Sequence, residues 1–214
     1  MIGLKADRTD AGFTLTELLV SMVLLLIVSG LVVTSVVAVG RALVKDQAAG
    51  ANLDIARVGM NRMTNSIRAG MEIQQLSGPN LPAFAAIAPE SVTIYASLGA
   101  IPTQVTYSVD SQRRLIETKV SGTAGSGPYW TFTATPVVTI VGSQIPTGTP
   151  QPLFTFNDAT GAAIPSQTST DPTVLTTVKS ITIALTVNTN PAQGFANTTL
   201  TNTIVLPNLG VAKR

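Results

Sequence analysis

The chain has no cysteine and no histidine among its 214 residues. Without cysteine it has no disulfide bond, thiolate metal site or cysteine nucleophile. The absence of cysteine fits a reducing and an oxidising compartment equally well. Without histidine it lacks the commonest general base and the usual ligand of zinc and haem. The remaining residues suggest no nucleophile with a base and an orienting group. The sequence therefore predicts a protein that is not an enzyme and has no cofactor.

Charge is also scarce, since 11% of the residues are charged against roughly 25% in an ordinary soluble domain. Threonine, serine, asparagine and glutamine supply the polar surface instead. The net charge of +2 arises in residues 41–68, because acids and bases are balanced from Glu72 onward. Only the Arg113–Arg114 pair resembles a cluster of phosphate contacts. DNA is therefore a partner without support from the sequence.

One long apolar run dominates the N-terminal part of the chain. Residues 18–40 contain no charge, and a helix of that length can cross a hydrocarbon core of about 30 Å. A cleaved secretory signal has a shorter apolar core, about 7 to 15 residues, followed by a small-x-small site. No such site follows this run. We predict a retained, single membrane span.

The spacing of apolar residues predicts that the helix continues to about Gly70. The predicted apolar face consists of Val44, Ala48, Ala51, Ile55, Val58, Met63 and Ile67. The predicted polar face consists of Lys45, Asn52, Asp54, Arg57, Asn61, Asn65 and Arg68. An anchor helix followed by a separate core helix is the alternative interpretation.

After Gly70 the apolar residues alternate with threonine or serine, which is typical of β-strands. The predicted strands are residues 91–97, 104–109, 114–120, 129–134, 137–142, 153–157, 178–187 and 200–206. Hairpin turns are predicted at Asp110 with Ser111 and at residues 158–161. The predicted fold is α+β, with a long N-terminal helix packed on a C-terminal, antiparallel, β-rich domain of residues 71–214.

A single carboxylate, Glu17, interrupts the start of the apolar run. A charge at the centre of a bilayer costs about 2.5 to 3.5 kcal/mol, and less near the interface. No lysine or arginine lies within a helical turn of Glu17. Cleavage after Gly12 would place a new amine at Phe13, about 6 Å from Glu17 along a helix. Such an amine would be a cationic partner for the carboxylate.

The stretch GFTLTELLV, residues 12–20, resembles the signal of type IV pilins and pseudopilins. The resemblance implies cleavage between Gly12 and Phe13 by a prepilin peptidase, so that residues 1–12 form the leader. It also implies N-methylation of Phe13, and docking of Glu17 against the Phe13 amine of a neighbouring subunit. Residues 13–40 would form the transmembrane and filament-core helix, and residues 41–70 its amphipathic continuation.

The resemblance also implies a location and partners. The precursor would span the inner membrane once, with its β domain in the periplasm, and would reach the cell surface in a pilus. Its partners would be other pilins or minor pilins and the inner-membrane assembly machinery. The leader departs from the usual basic pattern, because Asp7 and Asp10 offset Lys5 and Arg8. The orientation therefore rests on the resemblance alone, since Arg41 and Lys45 follow the other end of the span.

Beyond the signal, residues 53–70 and the segments LFTFNDATG, VKSITIALTVNTN and TNTIVLPN are similar to PilW-type minor pilins and PulJ-type pseudopilins. Pro207 before Asn208 departs from the closing motif of those families. The absence of a cysteine pair favours a minor pilin over a major one. Asp158, with Asn157 and Gly161, is a weak candidate for a calcium loop, and a plain turn is the favoured interpretation.

We therefore expect a minor pilin of a type IV pilus, acting in filament initiation or at the tip. The alternatives within the family are a type II secretion pseudopilin and a competence pilus subunit that takes up DNA. From another class, the alternative is a bitopic membrane protein whose extracytoplasmic β domain binds a ligand.

Overall fold

The computed structural model describes residues 14–75, 78–125, 130–189, 194, 196–206 and 212–213. Gly12, Phe13 and the rest of the predicted leader lie outside these residues, as do Tyr129, Pro207 and Asn208. The helices are α1 (Leu15–Arg68) and α2 (Pro172–Leu175). The strands are β1 (Glu72–Ile73), β2 (Phe84–Ala88), β3 (Ser91–Ala96), β4 (Thr103–Val109), β5 (Leu115–Ser121), β6 (Thr123–Ala124), β7 (Trp130–Thr131), β8 (Val137–Gly142), β9 (Phe154–Asn157), β10 (Ser180–Val187), β11 (Thr198–Val205) and β12 (Ala212–Lys213).

Two compact units share this chain, and the boundary falls within α1, after Asp46. In the first unit the described residues form one helix, and its large apolar side chains from Leu15 to Val44 are exposed on all sides. By length and composition, α1 is a candidate membrane span. The same helix continues without interruption through Arg68. The predicted single long helix is therefore confirmed, and the alternative of two separate helices is wrong.

The second unit, from Gln47 onward, contains two antiparallel sheets. One has five strands in the order β2-β3-β4-β5-β8, and the other has three in the order β11-β10-β9. Two further sheets have only two strands each, the parallel pair β1-β12 and the antiparallel pair β6-β7. The alternation of apolar and threonine residues gives strands such as β4 and β11 one face towards the core and one towards solvent. β10 is instead buried along almost its whole length. The predicted α+β architecture is confirmed.

The core of the second unit lies where α1 meets both sheets. Its largest fully buried side chains include Met63 and Ile67 from α1, Phe84 and Tyr107 from the five-stranded sheet, and Phe154, Phe156 and Ile183 from the other. The rings of Phe84 and Phe156 meet edge to face, with 6.0 Å between their centroids. Burial of these apolar side chains is the main source of stability for such a unit.

The buried face of α1 differs from the predicted one. The prediction placed Val58 in the core and Asn52 on the surface, whereas the exposed fraction is 56% for Val58 and 1% for Asn52. The buried positions are Asn52, Ala56, Gly59, Met60, Met63, Thr64, Ser66 and Ile67. The helix packs closely at Gly59, since a Cβ there would lie 3.0 Å from Leu185 Cδ2. The prediction was therefore wrong for Val58 and Asn52, whereas Met63 and Ile67 are buried as predicted.

The sequence analysis missed β2, α2 and the two-residue strands β1, β6 and β12. β2 has the sequence FAAIA, and its alanines gave neither alternation nor β-branched side chains. α2 is a short helix that begins after Asp171, whose side chain accepts a hydrogen bond from the Thr173 N–H. The aspartate cap followed by proline is a helix-start pattern that the sequence offered. Conversely, the predicted strand at residues 129–134 is only the two residues of β7 within the described part.

Candidate functional site

The first turn of α1 positions the side chain of Glu17. Thr14 precedes the helix, and the Glu17 N–H donates to the Thr14 carbonyl oxygen at 3.0 Å and to Thr14 Oγ1 at 3.3 Å. Ser21 Oγ in turn donates to the Glu17 carbonyl oxygen at 2.7 Å. Thr14 and Glu17 stand three residues apart, as in the helix-starting pattern called a capping box. A carboxylate in the first turn also lies favourably in the field of the helix N-terminus.

The surroundings of Glu17 are apolar and exposed. Leu15, Leu18 and Leu19 flank it and are open to solvent in the single chain. Among the ion pairs formed by the described residues, none includes Glu17. The nearest cationic side chain after it in the sequence is Arg41. A helix of this kind needs a second molecule, lipid or protein, to cover its surface and to meet the carboxylate.

A protein-family model matches residues 7–33, and its description is Prokaryotic N-terminal methylation motif. The chain carries a type IV pilin-like prepilin signal. This motif supports a pilin-like or pseudopilin subunit, and it suggests a structural subunit rather than an enzyme. It implies processing by a prepilin peptidase and assembly with other pilins. No curated protein and no solved structure matches the chain.

The methylation motif and the apolar helix together fit a membrane-anchored pilus subunit. The motif contains Gly12 and Phe13, whose positions lie outside the described residues, so their predicted roles rest on the sequence. Of the three motif residues with predicted roles, Glu17 is the one that lies within the described residues. The structure places it one turn into α1, at the start of the apolar surface.

Sequence reasoning did not single out Thr14. Its hydroxyl and carbonyl oxygens accept from the backbone at the start of α1, including from Glu17 itself. The signal that could have revealed it is the spacing of Thr14 and Glu17 in TLTE. Glu17 therefore has two separable attributes: its backbone belongs to the helix start, and its carboxylate carries the charge.

Asp158, the weak calcium candidate, lies in a tight turn. Its Oδ1 accepts hydrogen bonds from Thr160 Oγ1 at 2.6 Å, from the Thr160 N–H at 2.8 Å and from the Ala162 N–H at 3.2 Å. These bonds, that of the Thr160 side chain first, lower the pKa of the Asp158 carboxyl. Among the described residues, no group of three or more acidic side chains could hold a metal ion. The geometry is that of a turn that the aspartate stabilises.

A buried carboxylate lies beneath the second half of α1. The Glu117 side chain is 2% exposed, and its Oε2 pairs with Lys119 Nζ at 3.0 Å and with an Arg62 nitrogen at 3.3 Å. Its Oε1 accepts from the Tyr107 hydroxyl at 2.5 Å, and Tyr107 Oη lies 2.8 Å from Ser66 Oγ. Burial, followed by the bond to Glu117, raises the pKa of Tyr107. This cluster joins α1 to β4 and β5, and every member has a structural partner.

A cavity of about 540 Å³ lies beside the β4–β5 hairpin. It is lined by Arg113 and Gln144, whose φ angles of 57° and 64° are unusual for residues other than glycine. Its cations are neutralised within the chain: Arg113 pairs with Glu90 at 2.9 Å, and Arg114 pairs with Asp110 at 2.7 Å. The lining offers amides and hydroxyls but no arrangement of nucleophile and base.

Proposed function

We propose that the chain is a minor pilin of a type IV pilus, and that its prepilin signal is cut between Gly12 and Phe13. The observation that carries this proposal is the methylation motif at residues 7–33, with Glu17 in the first turn of an apolar helix. The folded unit that begins at Gln47 has its own core and two sheets. A membrane helix followed by a folded unit is what a filament subunit requires.

Processing would create the partner that Glu17 lacks. Hydrolysis of the bond between Gly12 and Phe13 would give Phe13 a free amine, and that nitrogen would then be methylated. The methylated amine remains a cation, so it can pair with a carboxylate in a low-dielectric environment, where such a pair is much stronger than in water. Glu17 would direct a new subunit to the Phe13 amine of its neighbour in the filament.

The apolar surface of α1 would supply the packing. In the membrane, lipid chains cover its leucine, valine and isoleucine side chains. In a filament, the same side chains would pack against the helices of neighbouring subunits, with close van der Waals contacts in place of lipid. The exposed apolar residues of α1 run from Leu15 to Val44, which is enough surface for contacts on several sides.

The assignment as a minor, PilW-type subunit at initiation or at the tip rests on sequence similarity beyond the signal and on the absence of cysteine. The second unit would then lie outside the membrane, in the periplasm before assembly. A type II secretion pseudopilin or a competence pilus subunit would use the same signal and the same helix. The genes adjacent to this one would distinguish these systems.

The candidate from another class is a bitopic membrane protein whose β unit binds a ligand. The observation that favours it is the cavity lined by Arg113 and Gln144, two residues with left-handed backbone conformations. Such conformations are often found at binding sites. A bitopic protein of this kind requires no cleavage at Gly12. The identity of the N-terminal residue in the mature chain therefore distinguishes the two proposed functions.

The test is mass spectrometry of the N-terminal peptide of the full chain purified from its native membrane. We expect a chain that begins with methylated Phe13. A Gly12→Val variant should accumulate as the longer precursor, because a β-branched side chain would obstruct the peptidase. The matched control, Gly3→Val, lies in the same leader and should be processed normally. A native chain that retains Met1, or is cut at another position, would refute the proposal.

A further inference from the structure

β8 is an outer strand of the five-stranded sheet and carries exposed apolar side chains. Val137, Val138 and Ile140 are 64%, 62% and 55% exposed. β8 pairs with β5 on one side only. It also lies within residues 120–157, which contain no charged residue. Natural sheets protect such edges with lysine, proline or a covering segment, because an open edge can pair with another strand.

The other outer strand of this sheet is covered by the chain itself. Ile87 of β2 and Ser169 exchange two backbone hydrogen bonds of 3.0 Å each. In the three-stranded sheet, β9 is covered in a similar way, because the Ile164 N–H donates to the Phe156 carbonyl oxygen at 2.9 Å. β11, also an outer strand, exposes mainly threonines, with Val205 at its end. Among the described residues, β8 therefore combines an open edge with a run of exposed apolar side chains.

A groove of about 370 Å³ lies between β8 and α1. Asp54, Ile55 and Val58 of α1 line one wall, and Ile140 and Val141 of β8 line the other. Val58 is itself exposed, because it lies on the side of α1 that does not face the core. A strand added at the edge of β8 could place its side chains against Ile140 and Val58. The groove thus supplies side-chain contacts beside the backbone hydrogen bonds of an added strand.

We propose that β8 accepts an uncharged, extended strand from a different pilin-like subunit in the same assembly. This inference rests on the proposed function, since the methylation motif implies assembly with other pilins. The occupant should be uncharged, because the groove is lined mainly by apolar side chains and its charged lining residue, Asp54, already pairs with Arg57 at 3.9 Å. Burial of an unpaired charge there would be costly. The α1 wall of the groove belongs to the helix through which subunits would assemble.

The occupant is a different element, not the β8 strand of a second copy. Two identical edges pair only about a two-fold axis, which gives an isologous contact. Subunits whose helices pack in parallel with an axial offset make heterologous contacts, in which one surface meets another surface of the neighbour. β8 would therefore join the strand of an adjacent subunit and extend the five-stranded sheet into it.

The test uses a photo-reactive phenylalanine analogue, p-benzoylphenylalanine, at position 138 of the full chain in its native cells. After irradiation, we expect a cross-link to another protein that carries an N-terminal methylation motif, within an uncharged extended segment. The matched control places the analogue at Leu98, an exposed loop residue, and should give no such adduct. Absence of an adduct at position 138, or a cross-link only between two β8 strands, would overturn the proposal.

A second experiment separates this inference from the proposed function. The double variant Val138→Lys and Ile140→Lys places charges on the exposed side of β8, where both side chains face solvent. We expect a folded, membrane-bound chain with methylated Phe13 and a tenfold or greater loss of the cross-link from a probe at Val137. An unchanged cross-link would refute the strand-addition proposal and leave the pilin function intact. A chain that retains its leader would instead refute the proposed function.

Discussion

The Glu117 carboxylate is the buried charge that ties α1 to the five-stranded sheet. It contacts Tyr107 on β4, Lys119 on β5 and Arg62 on α1. A buried carboxylate is tolerated when hydrogen bonds and cations satisfy both oxygens, as they do here. Arg62 and Lys119 are partly exposed, so water screens their attraction to Glu117. The hydrogen bond from Tyr107 therefore accounts for a larger share of the stability of the cluster. Removal of the charge should therefore weaken the cluster without leaving a buried, unpaired cation.

We expect Glu117→Gln to lower the free energy of unfolding by about 1.5 to 3 kcal/mol, the usual value of hydrogen bonds to a charged group. The neutral amide keeps the volume of the side chain but loses the charge that attracts Arg62 and Lys119. Thermal or denaturant unfolding of the full chain in detergent would measure the change.

The matched control for that prediction is Glu90→Gln. Glu90 pairs with Arg113, but its side chain is 53% exposed, and exposed ion pairs contribute roughly 0 to 1 kcal/mol. The same substitution should therefore have a much smaller effect at position 90. Equal losses at both positions would contradict the importance that we give to burial of Glu117.

At the scale of secondary-structure elements, the packing of α1 depends on Gly59. The ideal Cβ of a larger residue would lie 3.0 Å from Leu185 Cδ2 and 3.4 Å from Leu115 Cδ2. These leucines belong to β10 and β5, so Gly59 lies where the helix meets both sheets. A larger side chain must push the helix away from both leucines.

We expect Gly59→Val to destabilise the second unit by about 1 to 3 kcal/mol, the usual cost of overpacking a core. Gly50→Val is the control, because it lies in the same helix and a Cβ there meets nothing within 4 Å. Denaturant unfolding monitored by the fluorescence of Trp130 would compare them. A loss of stability for Gly50→Val as large as that for Gly59→Val would point to helix propensity instead of contact with the leucines.

The β4–β5 hairpin depends on Asp110. Its Oδ1 accepts from the N–H groups of Gln112 and Arg114, at 3.0 Å and 2.8 Å. The backbone bond from Arg114, followed by that residue's guanidinium, lowers the pKa of the Asp110 carboxyl. A lowered folded-state pKa gives stability above the unfolded pKa, about 3.9, and that stability disappears as the pH falls through the folded value.

We therefore expect the melting temperature of the wild-type chain to exceed that of Asp110→Asn at neutral pH, and the difference to shrink below about pH 4. Melting curves between about pH 2.5 and 7 would show this convergence. Asp46→Asn, a substitution in the exposed part of α1, is the control and should leave the profile unchanged. A difference that stays constant over the whole range would exclude titration of Asp110 as its origin.

Sequence patterns predicted the elements whose signals are local. The charge-free run predicted the apolar part of α1, and alternation with threonine predicted β3, β4, β5, β8, β9, β10 and β11 to within a few residues. The buried face of α1 depended on contacts that no local pattern contains. Gly59 meets Leu115 and Leu185, which lie far away in the sequence, and the Asn52 side chain accepts a hydrogen bond from the Thr189 N–H.

The candidate site shows the same division. GFTLTELLV carried enough information to predict a prepilin signal, because cleavage signals are read as short linear stretches. The cluster around Glu117 could not be predicted, since Arg62, Ser66 and Tyr107 come together only when the sheet packs on the helix. In an alternating strand, the sequence pattern around a threonine or a tyrosine is the same whether that side chain faces solvent or a buried carboxylate.

At the scale of the whole molecule, each of the two units supplies a different feature that a filament subunit requires. The unit that ends at Asp46 contains the motif, Glu17 and an apolar surface that needs a cover. The unit that begins at Gln47 buries its own core of aromatic and aliphatic side chains. Substitutions in the first unit should therefore change assembly without loss of the β fold.

Glu17 offers the sharpest test at this scale, because its two attributes can be separated. Glutamine still satisfies the capping pattern with Thr14, but it carries no charge for the proposed ion pair with the Phe13 amine. Thr14→Ala removes the capping hydroxyl seen at 3.3 Å from the Glu17 nitrogen and leaves the carboxylate intact. We expect Glu17→Gln to be inserted in the membrane and processed, yet to be missing from sheared filaments, as expected also for Glu17→Val and Glu17→Lys. Thr14→Ala should be incorporated. Immunoblots of sheared filaments and membranes would measure this, and normal incorporation of Glu17→Gln would show that the carboxylate charge has no part in docking.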